Sequence, residues 1–454
     1  MKKTQLFILL SFFCLGLSAQ GPAIISWLQN TTETGTFYVA GNSTAMDNGI
    51  LYNCQKVEYS EDFVYVHATG IPAYPSGPFQ DGNPSQASDQ DAIYKIPLFP
   101  IKQEGTFQNT VGGNIGIFIN GVSLFDFRDG VGWNPNTNAL CGGPGYDPCP
   151  GGPMAQTDWN RDAIPAEMPG FDCSKAHPAM GNYHHHQNPS AFKLDIEVVS
   201  NVCNLYDAEG LYAINENEHS PLIGYAYDGF PIYGAYGFKN ADGSGGVVRI
   251  KSGYQLRDIT VRNTHADGTS VDNGPDISTA YPAGYFREDY EWVAHDGEEE
   301  FLDEHNGRIA ITPEYPEGTY AYYATVDEDW NSAYPYVVGP TFYGEYENRS
   351  VNSVNEETTV YNVTTSISED ILEQVHVFPN PASDLIAIQL TGLVNESIKA
   401  ELIDISGKVI LSKQINAGTT IAYFDVETMY EGVYTVRISS VNSHVTRKVI
   451  VTRK

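Results

Sequence analysis

The sequence has 454 residues and a formal net charge of −31 at neutral pH, with 12% aromatic residues and 30 tyrosines. A chain of this length can form two or three domains, each with its own core. Its acidity excludes nucleic acid as a natural partner, because the phosphate backbone would be repelled. Many tyrosines, glycines and prolines, without long amphipathic helical patterns, predict an all-β fold with many turns.

Residues 1–19 have the pattern of a secretory signal peptide. Two lysines near the start precede an apolar run from Leu6 to Leu17, which is followed by small residues. The run is too short to span a membrane, and cleavage is expected after Ala19. The mature chain then begins near Gln20 and enters an exported compartment, which favours disulfides.

Five cysteines follow the signal peptide, and their positions suggest two disulfides. Cys141 and Cys149 flank a loop rich in glycine and proline that can close on itself, whereas Cys173 and Cys203 bracket a cluster of histidines. These two pairs are the expected disulfides, and Cys54 is the cysteine left over. The spacing by itself leaves the pairing open.

Residues 20–347 contain many short alternating apolar runs separated by turn residues. This pattern predicts a large, irregular, β-sandwich-like main domain with long loops. Asn120-Gly121 and Asp228-Gly229 each lie between two such runs and predict tight hairpin turns. Residues 128–170 are rich in Gly, Pro, Asn and Asp and predict a long ordered loop. Residues 191–199 alternate cleanly and predict a half-buried strand.

Four of the eleven histidines lie within one stretch of ten residues, a density that core packing does not explain. If residues 183–186 form a strand, His184 and His186 point to the same face. Two imidazoles on one face of a rigid strand are half of a metal site, and imidazole suits Zn and Cu. His177 and His219 are the nearest candidates to complete the set of ligands.

Three further residues are candidates for supporting roles around this site. Asp228 is a candidate acceptor that orients a ligating imidazole, although an Asp-Gly turn explains it equally well. Tyr183 and His305 are candidates of the same kind. The many tyrosines are also suited to form an aromatic surface for sugar rings. The sequence contains no serine-triad elbow, phosphate-binding glycine loop or dinucleotide fingerprint, so no catalytic residue is identified.

The end of the chain has a different composition. Residues 348–373 are rich in Asn, Ser, Thr, Val and Glu and are predicted to be a linker. Residues 374–454 contain short strands with regular turns, which predict a small Ig-like β-sandwich. This segment resembles the C-terminal sorting domain of the type IX secretion system of Bacteroidetes, through Phe378-Pro-Asn-Pro-Ala-Ser-Asp384, Asp404-Ile-Ser-Gly407-Lys408 and Tyr430-Glu-Gly-Val-Tyr-Thr-Val-Arg437. The resemblance implies the type IX machinery as a partner and a secreted or outer-membrane cell-surface location.

The main domain resembles the YHYH-motif domain family. The resemblance is carried by Gly181-Asn-Tyr-His-His-His186, His219-Ser-Pro-Leu-Ile-Gly-Tyr-Ala-Tyr-Asp228-Gly-Phe-Pro-Ile-Tyr233, Leu302-Asp-Glu-His-Asn-Gly-Arg308 and Tyr334-Pro-Tyr336. His185 stands where the family has its second tyrosine, so the expected ligand face is kept and the opposite face changes. The resemblance implies that these residues form one site, without naming its chemistry.

Three functions for the main domain remain open at this point. The first is a module that binds Cu or Zn without turnover. The second is a metal-dependent extracellular enzyme that acts on a polymer, with an open coordination position. The third is a carbohydrate-binding or adhesion module with an extracellular polysaccharide as partner. A closed set of four ligands favours the first, an exposed metal in a cleft the second, and a tyrosine surface away from the histidines the third.

Overall fold

The computed structural model describes residues 21–39, 42, 44–79, 86–143, 145–150, 157–190, 211–212, 214–347, 349–362, 375–390, 398–405, 407–416, 419–439 and 444–453. The predicted signal peptide and the strand predicted at 191–199 lie outside these residues. Over the described residues, short strands dominate and the helices are very short. The prediction of an all-β fold is therefore confirmed.

The main region contains the following elements in chain order. Its short helices are α1 (Pro22–Ile25) and α2 (Ala163–Glu167), with 3₁₀ turns at Met168–Gly170 and Arg287–Asp289. Its strands are β1 (Thr34–Phe37), β2 (Met46–Leu51), β3 (Cys54–Tyr59), β4 (Phe63–Ala68), β5 (Ala92–Pro97), β6 (Asn114–Phe118), β7 (Ser123–Phe125), β8 (Arg128–Asn134), β9 (Ala139–Cys141), β10 (Asn160–Asp162), β11 (Ala176–Ala179), β12 (Asn182–His185), β13 (Leu222–Ala226), β14 (Pro231–Tyr233), β15 (Tyr236–Phe238), β16 (Val247–Arg249), β17 (Tyr254–Leu256), β18 (Tyr290–Trp292), β19 (Gly307–Ala310), β20 (Thr319–Tyr323), β21 (Ser350–Val351) and β22 (Thr359–Tyr361).

Two larger sheets form the body of the main region. One has eight strands in the order β11-β12-β7-β6-β13-β14-β20-β19, and the other has five in the order β21-β5-β4-β3-β22. Both contribute apolar side chains to one core, which makes the arrangement sandwich-like. Buried members of that shared core include Val57, Val64 and Ile96 from the five-stranded sheet and Ile117, Phe118 and Ile232 from the eight-stranded sheet.

The two predicted hairpin turns lie where the sequence places them. Asn120-Gly121 connects β6 to β7, and Asp228-Gly229 connects β13 to β14. Gly121 and Gly229 have φ values of 79° and 93°, a left-handed conformation that favours glycine. A Cβ atom on Gly121 would also lie 2.7 Å from the Cβ of Ala68, so the tight packing under this turn requires glycine.

The prediction of a long loop over residues 128–170 is wrong in part. Strands β10, β8 and β9 form a three-stranded sheet, and α2 follows directly. Trp133 and Trp159 lie in one small apolar cluster, and the backbone N–H of Trp133 donates to the carbonyl of Trp159 at 2.9 Å. The strands are only three to seven residues long. In strands this short, the alternation of apolar and polar residues is hard to recognise in the sequence, because turn residues surround them.

Part of the predicted linker belongs to a sheet of the main region. Strand β21 pairs with β5 and β22 pairs with β3, so both edges of the five-stranded sheet come from residues 350–361. The predicted linker start at residue 348 therefore falls before these strands. The other domain limits stay predictions.

The C-terminal region forms a small sandwich of two sheets. Its strands are β23 (His376–Phe378), β24 (Leu385–Gln389), β25 (Ile398–Ile403), β26 (Val409–Ile415), β27 (Ile421–Asp425), β28 (Gly432–Ser439) and β29 (His444–Val451). The sheet orders are β23-β24-β27 and β26-β25-β28-β29. Buried and less buried positions alternate along β28, as expected for a strand with one face in a core. The predicted β-sandwich is confirmed.

Candidate metal centre

A two-residue turn aligns His177 with His184. Met180 and Gly181 both have positive φ values, 49° and 90°, as a type I′ hairpin turn requires. The turn sets Ala179 opposite Asn182, and from there the antiparallel register places His177 directly opposite His184. Residues directly opposite each other in a sheet project from the same face. One turn therefore brings together two histidines that are seven residues apart in sequence.

His186 joins the same group just beyond the end of β12. Because side chains alternate along an extended chain, it shares a face with His184. Its Nδ1 donates to the backbone carbonyl of Asp126, the residue that follows β7. Since β12 pairs in parallel with β7, this carbonyl lies within reach of the imidazole. The end of β12 and the neighbouring strand β7 together hold His186 in place.

Glu167 is the last residue of α2 and faces the histidines. Its Oε2 lies 3.2 Å from Nε2 of His177 and 3.2 Å from Nε2 of His186. The helix begins at Asp162, whose side chain accepts a hydrogen bond from the N–H of Ile164 at 2.9 Å and so caps it. Glu167 was not among the candidates from the sequence. The N-cap aspartate is a signal for the short helix, but it does not indicate that the last residue of the helix meets the histidines.

The histidine nitrogens converge at distances that suit a metal ion. His177, His184 and His186 each offer one ligand atom, and these atoms lie within 4.8 Å of one another. Nε2 of His184 and Nε2 of His186 are 3.1 Å apart. Two nitrogens bound to one tetrahedral Zn²⁺ at ~2.1 Å would be separated by roughly 3.4 Å. The spacing of this pair therefore fits one shared cation.

Hydrogen bonds select the ring nitrogen that remains available. Nδ1 of His184 donates to the carbonyl of Asn182 at 2.9 Å, and Nδ1 of His186 donates to the carbonyl of Asp126. With its Nδ1 protonated, a neutral imidazole presents a lone pair at Nε2. Histidines that bind metals usually donate their other N–H to a carbonyl in this way.

The environment favours the neutral form of His184. His177, His184 and His186 are all at least 94% buried. Burial, and then the neighbouring His186 and His177, lower the pKa of His184 well below its usual value. For Glu167, burial acts to raise the pKa, but contacts with His177 and His186 outweigh it, and the pKa lies below the ordinary range. A neutral imidazole at His184 and an ionised carboxylate at Glu167 are protonation states that metal binding requires.

Aromatic rings hold the imidazoles in place. Phe125 stacks on His184 with ring centroids 3.7 Å apart and 17° between the planes. Phe171 meets His177 edge-on at 5.0 Å. Such packing restricts rotation of the imidazoles and lowers the local dielectric around them. The group is therefore well ordered before any ligand binds.

Tyr183 supports the hairpin rather than a ligand. Its hydroxyl donates to Oδ2 of Asp172 at 2.7 Å, and Asp172 also accepts from the backbone N–H groups of Gly77 and Ser174. Burial raises the pKa of Asp172 to about 6, and hydrogen bonds, first from Tyr183, oppose that rise. Asp172 thereby ties the chain just before β11 to the opposite face of β12. Tyr183 acts on the site through the backbone.

His185 lies on the face opposite the cluster, as the alternation predicts. Its Nε2 is 2.8 Å from the hydroxyl of Tyr74, and its Nδ1 is 3.3 Å from the carbonyl of Lys175. Burial lowers its pKa to about 3, so the ring is neutral at ordinary pH. His185 is a hydrogen-bonded core residue.

His219 does not join the cluster, which corrects the expectation from the sequence. Its ring packs against Tyr233 at 5.2 Å and Phe238 at 4.9 Å, and its Nδ1 donates to the carbonyl of Ser220. His219 precedes β13, and β7 and β6 lie between β12 and β13. Three strand spacings of ~4.8 Å are roughly 14 Å, too far for a shared metal ion.

Asp228 and His305 are also placed away from the cluster. Asp228 accepts hydrogen bonds from the hydroxyl of Tyr322 and from the N–H of Gly344 at 2.8 Å. His305 packs against Phe107 at 4.2 Å, and its Nδ1 is 2.6 Å from the hydroxyl of Thr341. Neither residue contacts an imidazole of the group, so their expected supporting roles are not seen.

The disulfide between Cys141 and Cys149 is present, with an S–S distance of 2.08 Å. Cys54 is a buried free thiol. Cys173 is disulfide-bonded, but Cys203, its expected partner, lies outside the described residues. The Cys173–Cys203 pair therefore stays a prediction.

The chain combines an all-β main region, which carries the histidine cluster on one hairpin, with a separate C-terminal sandwich. A family model described as YHYH protein matches residues 93–335, and the chain belongs to this family. A second model, the secretion system C-terminal sorting domain, matches residues 376–452. No curated protein matches the chain.

The sorting domain determines where the protein goes. It implies interaction with the type IX secretion machinery, and the protein is secreted or attached to the cell surface. In the part of the chain that the structure describes, no helix has the length and apolarity needed to cross a membrane. The histidine cluster lies within the YHYH match, so it belongs to the exported cargo.

Proposed function

We propose that the main domain binds a transition metal ion, Zn or Cu, through His177, His184 and His186. Glu167 supplies a fourth donor. The observation that carries the proposal is the pair of Nε2 atoms of His184 and His186, which face each other at 3.1 Å while both Nδ1 atoms donate to carbonyls.

This arrangement has a physical cost that a cation would remove. If His184 and His186 are both neutral with protonated Nδ1 atoms, their Nε2 lone pairs point at one another. The Oε2 of Glu167 is buried beside them, and no donor in the described part of the chain has hydrogen-bond geometry to it. Burying such groups uncompensated is unfavourable. A divalent ion would turn each of these repulsive contacts into a bond, and the net charge of −31 favours its approach.

The donor set favours a binding module over an enzyme. Three imidazoles and one carboxylate supply four donors, the number that closes a tetrahedral site without water. A metal-dependent hydrolase keeps one position open for water or substrate. We therefore infer a module that holds its metal without turnover, secreted or displayed at the cell surface. Imidazole and carboxylate ligands suit both Zn and Cu.

Elemental analysis of the purified mature chain tests this proposal. After saturation with Zn or Cu and extensive dialysis, the protein should retain one equivalent of metal. The double variant His184→Ala/His186→Ala should retain almost none. His376→Ala, which removes an exposed histidine of the C-terminal domain, is the matched control and should keep the full amount.

A variant on the opposite face of β12 separates metal binding from general folding. His185→Ala should keep most of the bound metal although it loses the contacts to Tyr74 and Lys175. If the wild-type chain held no metal, or if His185→Ala lost it while the double variant did not, the proposal would be wrong. The cluster would then be a hydrogen-bonded patch in which Glu167 balances a protonated imidazole.

A further inference from the structure

A cleft with a volume of about 270 Å³ lies apart from the histidine cluster. It is lined by residues of the paired strands β17 and β18, the 3₁₀ turn before β18 and neighbouring loops. None of its lining residues belongs to the metal centre. Its volume lies just under the ~300–1,000 Å³ typical of pockets for drug-sized ligands. The lining residues used below are Tyr254, Asp267, Arg287, Glu288, Tyr290 and Tyr334.

Three tyrosines form the walls of this cleft. Tyr290 stacks on Tyr334 with ring centroids 4.2 Å apart and 10° between the planes, and Tyr254 meets Tyr334 edge-on at 5.3 Å. Tyr334 is buried, whereas Tyr254 and Tyr290 are partly exposed. The pairing of β17 with β18 puts Tyr254 and Tyr290 on the same face of the two-stranded sheet. Two partly exposed rings therefore border the cleft above a buried one.

Charged side chains at the cleft offer both donors and acceptors. The Nε of Arg287 donates to Glu288, whose two oxygens also accept from the side chain and backbone N–H of Asn160. The oxygens of Glu288 are therefore engaged, while the terminal amino groups of Arg287 have no hydrogen bond within the described chain. Asp267 adds an exposed carboxylate, whose Oδ1 accepts from the N–H and hydroxyl of Thr269 and whose other oxygen can accept a further hydrogen bond.

These features fit a sugar ring. A pyranose has an apolar C–H face that packs on aromatic rings, and its hydroxyl groups both donate and accept hydrogen bonds. Arg287 can donate to such hydroxyls and Asp267 can accept from them. A polyanion is disfavoured, because the chain carries −31 charges and the cleft itself contains two carboxylates against one guanidinium.

We propose that this cleft binds a neutral glycan, with one sugar ring packed on Tyr290 and Tyr254 and its hydroxyls bound by Arg287 and Asp267. The site gives the exported protein a second ligand, which is a neutral extracellular polysaccharide. It rests on observations separate from those for the metal centre. The His184→Ala/His186→Ala variant should therefore bind the glycan as tightly as the wild type.

Titration calorimetry of the mature chain with hexasaccharides of known linkage tests the proposal. The probes are β-1,4-glucan, β-1,4-xylan and α-1,4-glucan hexasaccharides, with an oligogalacturonate as the acidic comparison. At least one neutral probe should bind saturably, and the acidic one should bind more weakly. Tyr290→Ala should weaken binding by ~10-fold or more because it removes an aromatic wall.

Three further variants show whether the ring and the charge act as proposed. Tyr290→Phe keeps the ring and should stay within ~3-fold of the wild type, and Asp267→Asn should weaken binding by ~3-fold or more. Phe99→Ala removes a surface ring that is 71% exposed and outside the cleft, so it should have no effect. The proposal is overturned if no neutral probe binds, if Tyr290→Ala binds like the wild type while its melting temperature is unchanged, or if the oligogalacturonate binds more tightly.

Discussion

The two halves of the eight-stranded sheet use histidine differently. In the hairpin of β11 and β12, three histidines converge within 4.8 Å of one another. In the other half, His219 and His305 each pack alone among aromatic rings. A single tight turn makes the first arrangement, because hairpin register is local. A site that joined His219 to the hairpin would need β13 next to β12, and the strand order places β7 and β6 between them.

The largest effect that separates the halves should come from two single histidine variants. His177→Ala removes a proposed ligand and should weaken Zn affinity by ~100-fold or more, above the ~10–100-fold cost of losing a supporting contact. His219→Ala should leave the affinity within ~3-fold of the wild type. Competition with a chromophoric chelator measures both. Equal losses in the two variants would show that His219 also contributes to the metal centre.

The response of metal binding to pH should also differ from that of exposed histidines. Free imidazole has a pKa near ~6.5, so most of it is protonated at pH 6 and competes with metal. Burial lowers the pKa of His184 well below that value, and a lowered pKa favours the neutral form that binds metal. His184 should therefore contribute equally to Zn affinity at pH 7.5 and at pH 6, so the loss of affinity in His184→Ala should be the same at both pH values in the competition assay. A loss that is tenfold or more smaller at pH 6 would contradict the buried arrangement of His184.

A smaller effect concerns two buried aspartates that accept hydrogen bonds from tyrosine hydroxyls, one at the helix beside the histidine cluster and one in the other half of the eight-stranded sheet. Asp162 accepts from Tyr336 and caps the helix that carries Glu167, whereas Asp228 accepts from Tyr322. Burial raises the pKa of Asp162 to about 8 and that of Asp228 to about 6. The stability that each protonated form contributes is fully present below the unfolded pKa near 4. It is lost as pH rises through the folded pKa.

The two aspartates should therefore differ between pH 6 and pH 8. Over that interval the wild type should lose about 1–2 kcal/mol of unfolding free energy relative to Asp162→Asn, because Asp162 still ionises there. Relative to Asp228→Asn it should lose only about 0.5 kcal/mol or less, since that group is already about half ionised at pH 6. Urea unfolding of the three proteins at both pH values measures this. If the unfolding free energy changed more relative to Asp228→Asn than relative to Asp162→Asn, the higher pKa would belong to Asp228 and not to Asp162.

The smallest expected effect is in the number of reactive thiols per chain. The mature chain, denatured without reductant, should show one reactive thiol, that of Cys54. Cys141 and Cys149 are paired, and the predicted Cys173–Cys203 disulfide would account for the rest. Three thiols per chain would mean that the cysteines around the histidine cluster are reduced. The cluster would then depend on its turn and hydrogen bonds alone.

The features that sequence determined are those that depend on near neighbours. Alternation along β12 puts His184 and His186 on one face, and the turn at Met180-Gly181 sets the register that adds His177. The Asn-Gly and Asp-Gly turns and the motif blocks of the C-terminal domain are local in the same sense. In each of these, periodicity or turn chemistry acts within about ten residues, so the pattern can be read directly.

Only the tertiary structure decided which distant residues meet. Glu167 reaches His177 and His186 because α2 packs beside the hairpin, and no spacing in the sequence indicates that contact. Asp228 and Tyr322 are 94 residues apart and meet across the sheet, so Asp228 serves the fold instead of the site. The cleft between Tyr254 and Tyr290 likewise depends on the pairing of two short strands. Long-range contacts follow from strand order and core packing, which are properties of the whole chain rather than of any one segment.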